Sequence, residues 1–223
     1  MRKAFYNNIN KISKNVISMA NLARDSLSNA VNALINADPT LAQKVIDADN
    51  KIDDYEISIE EKCVILQAEY QPFAKDLRYI HSVNNIIIHL ERIGDLSVNI
   101  AKIAKSLSKL SIQYLDSDMK NLLLEMLELA KTILNKATLA FDKSDFNLAS
   151  NIDRIDDDID KIQKTIIQKL YSSKFNKKEN IKIIADISLV ARYLERVGDH
   201  SVSIAERVQY YLRGDYRVFH SDT

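Results

Sequence analysis

Residues that interrupt regular structure are scarce in this sequence. Its 223 residues include only three glycines and two prolines, too few to supply the turns of a β-sandwich or a β-barrel. We therefore expect a helical protein with long elements and few connections. The single cysteine, Cys63, has no second cysteine with which to form an internal disulfide, and it lies in a helical pattern where a small apolar residue would fit.

An excess of charge of one sign is also missing, because 31 basic residues balance 31 acidic ones. A neutral chain has no overall attraction to nucleic acid or to an anionic membrane surface. No stretch approaches the roughly 18 uncharged residues that a membrane span requires, and Met1–Lys14 has no apolar segment typical of a secretory signal. We expect a cytoplasmic protein that binds no nucleic acid and is not inserted in a membrane.

One segment of the sequence occurs twice. Residues 90–102 read LERIGDLSVNIAK, and residues 194–206, which start 104 positions later, read LERVGDHSVSIAE. A second match, between residues 38–53 and 145–160, extends the repeat to an earlier part of each half. The chain is therefore expected to be all-α, with two tandem homologous three-helix bundles made of six long antiparallel helices.

The boundary between the halves is expected near residue 110. The stretch from Ser106 to Ser117 contains four serines and no clear apolar period, which is typical of a connection. We assign residues 1–110 to the first three-helix repeat and residues 111–223 to the second. The apolar spacing also predicts that the second helix runs from Pro39 past Leu66, and that the fifth helix carries Leu148 to Leu170.

Each half carries two pairs of acidic residues whose members are four positions apart. On a helix this spacing points both carboxylates to the same side, one turn apart. The pairs are Asp49 with Asp53 and Glu91 with Asp95 in the first half, and Asp156 with Asp160 and Glu195 with Asp199 in the second. If the second and third helices of a half are neighbours, four carboxylates meet on one surface, where a multivalent cation would turn their repulsion into binding.

The chemistry of these side chains restricts the metal that could bind. A site made only of carboxylates suits hard cations such as Mg, Mn, Ca or iron better than Cu or structural Zn. His81, His89 and His200 are not placed to join the acids, and we expect them to be ordinary polar residues. Acidic pairs are also common on solvated helix faces, so a plain solvated face explains the four pairs as well as a surface that binds a metal or a partner protein does.

Two glycines, Gly94 and Gly198, stand in the middle of predicted helices, inside the repeated segment. A glycine there costs about 0.5–1 kcal/mol relative to alanine, so its presence twice indicates that something approaches the helix backbone closely. A neighbouring helix and a bound metal cluster both remain open as explanations. Arg92 and Arg196 follow the first acid of each repeated pair, where they form helix-surface salt bridges or bind an oxyanion.

Motifs of common enzyme sites are missing from the sequence. It has no glycine-rich phosphate loop, no Cys-x-x-Cys, no Gly-x-Ser-x-Gly and no His-Glu-x-x-His. We therefore expect the protein to act by binding and not as an enzyme. A ferritin-like carboxylate di-metal protein is one alternative, although such bundles use a Glu-x-x-His step that is absent here. A metal-free helical adaptor that binds basic partner surfaces is another.

Several of these segments resemble the PhoU family of bacterial proteins. The resemblance is carried by residues 90–99, by their counterpart from Leu194, and by the segment 71–78, which reads QPFAKDLR. It extends from about Phe5 to about Arg213. It implies two homologous three-helix bundles, with metal clusters bound at E/D-x-x-x-D motifs; iron is the first expectation, and Mg, Mn, Zn or Ca are alternatives.

The resemblance also implies which residues bind the metal. The first site would consist of Asp49, Asp53, Glu91 and Asp95, and the second of Asp156, Asp160, Glu195 and Asp199. Asp153 with Asp157 is another register for the second site; we prefer the later one because its neighbour Ile159 matches Ile52. The two sites are expected to differ in metal content or affinity, because Lys102 replaces the family's usual glutamate and Ser203 replaces its usual asparagine.

A role follows from the same resemblance. Proteins of the family repress the phosphate-starvation response and restrain phosphate uptake when phosphate is plentiful. They contact the ATPase subunit of the phosphate ABC transporter and a phosphate-sensing histidine kinase. For this chain, the resemblance implies a cytoplasmic negative regulator that binds these two partners, and a homodimer is a further expectation.

Overall fold

The structure, a computed structural model, describes residues 2–109, 115–172 and 181–215. Over these ranges the chain forms eight α-helices: α1 Arg2–Ile35, α2 Pro39–Ala48, α3 Asn50–Tyr70, α4 Ala74–Leu107, α5 Ser117–Lys143, α6 Phe146–Ser150, α7 Asp153–Ser172 and α8 Ile181–Arg213. The all-α fold class predicted from the sequence is confirmed. The predicted boundary between the halves, at residues 110 and 111, lies outside the described residues.

Each half of the chain is a three-helix bundle in which the middle helix is divided in two. In the first half, α1 and α4 are long rods, and α2 and α3 together cover them; in the second half, α5 and α8 are covered by α6 and α7. Burial of one apolar side of each helix stabilises these bundles, because isolated helices of this kind are marginal in water. Contacts of α4 with α8 and of α1 with α5 join the halves.

The second and fifth predicted helices are interrupted, in contrast to the continuous helices expected from the apolar period. Asp49 separates α2 from α3, and its carbonyl accepts a hydrogen bond from Ile52 N at 2.7 Å. In the second half the interruption falls at Asn151 and Ile152, where Ile155 N donates to Ile152 O at 2.9 Å. The Asp49 side chain makes no cap hydrogen bond, whereas Asn151 Nδ2 donates to Asn147 O at 2.8 Å. The apolar period continues across both breaks and so did not reveal them.

The turns that open α2 and α6 use the same cap chemistry. Asp38 accepts hydrogen bonds from Thr40 N and Leu41 N, both at 2.9 Å, and Pro39 occupies the first helical turn. Asp145 caps α6 in the same way, through the backbone N–H groups of the second and third following residues. Such caps satisfy backbone donors that have no partner within the helix. The chain therefore reverses direction without additional glycines.

Helices α4 and α8 are antiparallel at the junction of the halves. Tyr79 near the start of α4 contacts Tyr211 near the end of α8, with ring centroids 5.2 Å apart. In the middle of both helices, His89 Nδ1 lies 3.3 Å from His200 Nδ1. This register places the two copies of the repeated segment at the same height in the molecule. No helix in the described part of the chain is long and apolar enough to cross a membrane.

Candidate functional site

The first acidic site consists of Asp49, Asp53, Glu91 and Asp95. Asp49 immediately precedes α3 and Asp53 lies in its first turn, where the positive end of the helix dipole favours carboxylates. Glu91 and Asp95 lie one turn apart in the middle of α4, and α3 packs against this helix. The break before α3 therefore positions one acidic pair against the other.

Electrostatic coupling shows that the members of the first acidic site lie close together. Burial and the charges of Asp53 and Asp95 raise the pKa of Asp49. Burial, together with the charge of Asp95, raises the pKa of Glu91 to about 7, although Arg92 opposes the increase. Because desolvation and like charges both disfavour ionised carboxylates, this surface binds protons more readily than ordinary acidic residues do.

The second acidic site consists of Asp156, Asp160, Glu195 and Asp199, on α7 and α8. Burial, together with the charges of Asp199 and Asp160, raises the pKa of Asp156 to about 6. Burial and the charge of Asp199 also raise the pKa of Glu195. One carboxylate oxygen of Glu195, Oε2, is buried without a hydrogen-bond partner in the described structure. The four acids predicted in each half are thus neighbours, while their role as metal ligands stays a prediction.

The mid-helix glycines make room for the first acid of the neighbouring helix. A Cβ atom added to Gly94 would lie 2.9 Å from Ile52 Cδ1 and 3.4 Å from Asp49 Oδ1. A Cβ atom added to Gly198 would lie 2.5 Å from Asp156 Oδ1. Close approach of the neighbouring helix therefore accounts for both glycines, and it presses the Asp49 and Asp156 side chains onto the backbone of α4 and α8.

The donor chemistry of both sites fits a hard multivalent cation. All eight predicted ligands carry carboxylate oxygens, which Mg, Mn, Ca and iron prefer, and the unpartnered Glu195 oxygen is free to bind one. In the arrangement described, however, no three Asp, Glu, His or Cys side chains of the described residues stand close enough to hold one ion together.

Further charged residues distinguish the two sites. Glu56 lies on α3, and its pKa is raised mainly by burial and by the charge of Glu60. The charges of Asp53 and Asp95 make smaller contributions to the increase. The equivalent position in the second repeat is Gln163. Our sequence analysis did not include Glu56, although its position three residues after Asp53 places it on the same side of a helix.

Lysine and arginine residues moderate the negative charge. Lys102 is close enough to lower the pKa of Asp49 and so partly offset its increase. Arg92 forms ion pairs with Glu91 Oε2 at 3.4 Å and with Asp95 Oδ2 at 3.1 Å, and its own side chain is 55% exposed. Of the two roles left open for Arg92, the structure shows the helix-surface salt bridge.

The two histidines His89 and His200 meet between the halves and are not part of either acidic site. Burial, together with the neighbouring His200 and Arg207, lowers the pKa of His89 to about 4. Burial and Arg196 also lower the pKa of His200. A neutral pair can share one Nδ1–H···Nδ1 hydrogen bond across 3.3 Å. This contact could not be predicted from either residue's position in its own helix.

Comparisons with known proteins extend over nearly the whole chain. The family model described as PhoU domain matches residues 16–104 and 123–208. A relative from Pseudomonas aeruginosa, named phosphate-specific transport system accessory protein PhoU homolog, is 33% identical over 211 residues, which cover 91% of this chain and 83% of the relative.

Two crystal structures have a similar fold. PhoU from Pseudomonas aeruginosa is similar with a TM-score of 0.87 and 32% identity, covering 95% of this chain and 100% of that chain. The phosphate transport system regulatory protein PhoU from Streptococcus pneumoniae is similar with a TM-score of 0.85 and 25% identity, covering 95% of this chain and 98% of that chain. The matches include both three-helix repeats.

Proposed function

Because this chain belongs to the PhoU family, we propose that it is an accessory protein of a phosphate-specific transport system and a negative regulator of phosphate uptake and of the phosphate-starvation response. The observation that carries the proposal is the match of the PhoU domain to both halves of the chain. Relatives of similar length are named as accessory proteins of phosphate transport and not as enzymes.

The regulator acts in the cytoplasm by contact with the ATPase subunit of the phosphate ABC transporter and with a phosphate-sensing histidine kinase. Its surface offers apolar side chains for such contacts. Ile57, Val64 and Ile65 on α3 are each more than half exposed, and seven- and eight-residue spacings place them on one side of the helix. Exposed apolar groups that share a surface are typical of protein-binding sites. A homodimer could use the same side of α3.

Capture of the two partners tests this function. The full chain, immobilised in the presence of phosphate, should retain the transporter ATPase and the kinase from the same organism. A variant with serine at Ile57, Val64 and Ile65 should retain less, whereas a control with serine at the exposed residues Leu139 and Leu189 should bind normally. Failure of the wild-type chain to retain either partner would refute the regulatory proposal; normal binding by the α3 variant would refute only the choice of surface.

Both acidic sites bind multivalent cations in this proposal, with iron as the first expectation and Mg, Mn, Zn or Ca as alternatives. A bound cation would supply positive charge that offsets the repulsion among the carboxylates of α3 and α4, or of α7 and α8. The protein's own contribution is to hold the acids near each other against Gly94 and Gly198. The raised pKa values of Glu91 and Asp156 are consistent with this assignment, because burial first, and then the charges of neighbouring acids, disfavour their ionised forms in the absence of a cation.

Elemental analysis of protein purified without chelators tests the metal sites. The double variant Asp49→Ala/Glu91→Ala should lose the metal of the first site and keep that of the second. A matched control, Asp54→Ala/Glu61→Ala, removes two exposed acids of α3 and should keep both. Equal metal content in the two variants would show that the first site is wrongly assigned.

A metal-free helical adaptor is the second candidate function. It is favoured by the separation of the carboxylates, because no three of the described side chains that could bind a metal are gathered around one point. In that case the acids would bind a basic partner surface directly. Two measurements distinguish the candidates: the adaptor contains no metal after purification without chelators, and it retains its partners in the presence of EDTA.

Replacing Gly198 with alanine should reduce metal binding more than stability. The added Cβ atom, 2.5 Å from Asp156 Oδ1, would turn that carboxylate away from its place, while alanine favours the helix by about 1 kcal/mol over glycine. We therefore expect a lower metal content in the second site and a similar melting temperature in circular dichroism. Gly94→Ala is the comparison, because its Cβ atom meets Ile52 more closely than Asp49. Unchanged metal content in Gly198→Ala would contradict the prediction.

A further inference from the structure

A cleft lies where α3 ends, α4 begins and α8 ends. Its volume is about 540 Å³, within the range of roughly 300–1,000 Å³ that is usual for small-molecule sites. Arg78, which lines this terminal cleft, precedes Glu91 by 13 positions on α4, or about 20 Å at 1.5 Å per residue. The terminal cleft is therefore separate from the acidic sites.

The polar side chains of the terminal cleft include one cation and no carboxylate. Arg78, His81 and Asn84 project from α4, Gln67 from α3 and Tyr210 from α8. All of these side chains can donate a hydrogen bond, and the guanidinium group has a permanent positive charge. Among the described residues that line the cleft, none carries a negative charge. This composition is opposite to that of the acidic sites and suits an anion.

The guanidinium group of Arg78 is held in place, and no carboxylate in the described part of the chain neutralises it. It lies over Gly214, whose φ is +78° and where an added Cβ atom would be only 3.1 Å from Arg78 Cζ. The Nε–H group is buried and has no hydrogen-bond partner in the described structure, and Asn84 Oδ1 is also without one. No described carboxylate forms an ion pair with Arg78. Arg78 therefore presents a cation without a described counter-charge beside the cleft, and an anion that reaches the guanidinium group would supply that charge.

We propose that the terminal cleft binds a small organic anion through a phosphate or carboxylate group, with Arg78 as its main ligand. A guanidinium group can donate two parallel hydrogen bonds to either oxyanion, which makes such contacts stronger than neutral hydrogen bonds. The amide of Asn84 can rotate to present its N–H group to the same oxyanion. The remaining volume, beside Gln67 and Tyr210, accommodates the rest of the molecule. This site does not depend on the regulatory role or on metal.

Binding is tested with three probes on the full chain after removal of metal with EDTA and dialysis. Inorganic phosphate, citrate and adenosine monophosphate distinguish a bare phosphate, a carboxylate and an organic phosphate, and chloride at the same ionic strength is the control. Titration calorimetry measures affinity, and the ¹⁵N–¹H signal of the Arg78 side-chain Nε–H group reports binding at the cleft. At least one probe should bind and shift this signal.

Variants connect the binding to Arg78. Loss of one charge-assisted oxyanion contact should weaken binding at least about tenfold in Arg78→Gln. Arg78→Lys should bind with intermediate affinity, because it keeps the positive charge but not the two parallel N–H donors of the guanidinium group. Arg154→Gln, which removes an exposed arginine of α7, should bind normally. The proposal is wrong if no probe shifts the Arg78 signal of the wild-type chain, a result that needs no variant to fold. It is also wrong if folded Arg78→Gln binds as tightly as wild type.

Discussion

The metal-free protein should be destabilised by the first acidic site as the pH rises from about 4.5 to 8, and Glu91→Gln should relieve this effect. The pKa of Glu91 is about 7 in the folded chain against an ordinary value of 4.5, so the folded state binds a proton more readily than the unfolded state. Folding is therefore favoured below pH 4.5, and the advantage is lost as the pH passes through 7. The expected gain for Glu91→Gln at pH 8 is on the order of 1–3 kcal/mol.

The measurement is the difference in the free energy of unfolding between variant and wild type at pH 4.5, 6 and 8, from urea denaturation in EDTA. A difference is needed because His89 acts in the opposite direction. Its pKa is lowered from 6.5 to about 4, so its contribution to stability is present above pH 6.5 and is lost as the pH falls toward 4. His89 is present in both proteins and cancels in the difference.

Glu61→Gln serves as the control, since Glu61 is an exposed acid of α3 and its replacement should have a small effect at every pH. Asp156→Asn should behave like Glu91→Gln at the second acidic site, over the interval from 3.8 to about 6. Added metal should make the wild-type protein more stable than Glu91→Gln, because it would stabilise the wild-type protein more. A Glu91→Gln variant that is no more stable than wild type at pH 8 would show that the carboxylates are not crowded in solution.

Replacing Phe141 with alanine should lower the free energy of unfolding by about 3–5 kcal/mol, the usual range for a buried phenylalanine. Phe141 on α5 is 2% exposed. Its ring stacks on Tyr79 of α4 with centroids 5.7 Å apart, and Tyr211 of α8 meets it edge to face at 6.4 Å. The substitution would leave a cavity among three helices that belong to both halves, and it would also remove two aromatic contacts.

Urea denaturation followed by circular dichroism measures this loss, with two variants for comparison. Phe141→Leu keeps most of the volume and should be less destabilised than Phe141→Ala. Phe146→Ala removes a partly exposed ring that Arg213 covers at 3.4 Å from the ring centroid, and its effect should also be smaller. Equal effects of Phe141→Ala and Phe146→Ala would contradict the proposed junction between the halves.

Much of the fold could be predicted because it depends on patterns within single helices. The three- and four-residue apolar spacing predicts the helices, and the duplication predicts two similar bundles. The breaks at Asp49 and at Asn151 could not be predicted in this way. Both lie in segments whose apolar period continues across them, so the cost of interrupting the helix is offset only by packing against the long neighbours α1 and α4, or α5 and α8.

The candidate sites likewise could be predicted from the sequence only where they depend on spacing within a single helix. The four-residue spacing of Glu91 and Asp95 is local, and it correctly indicated that the two acids share a side of one helix. The raised pKa of Glu91 depends first on burial and then on Asp95 of its own helix, and Glu56 and Asp53 of the neighbouring α3 raise it further. Glu56 belongs to the same surface and was missed, since spacing within a helix does not report which acids the neighbouring helix will meet.

Composition and repetition alone were sufficient to establish an all-α chain with two related halves, the paired acids and the need for close approach at Gly94 and Gly198. The packing of distant segments decided what approaches those glycines, brought His89 against His200 and formed the terminal cleft beside Arg78. The physical reason is the distance along the chain between the residues that interact. Helix periodicity is determined by neighbours three or four residues apart, whereas burial, shifted pKa values and unpartnered donors depend largely on residues of other helices that lie far away in the chain.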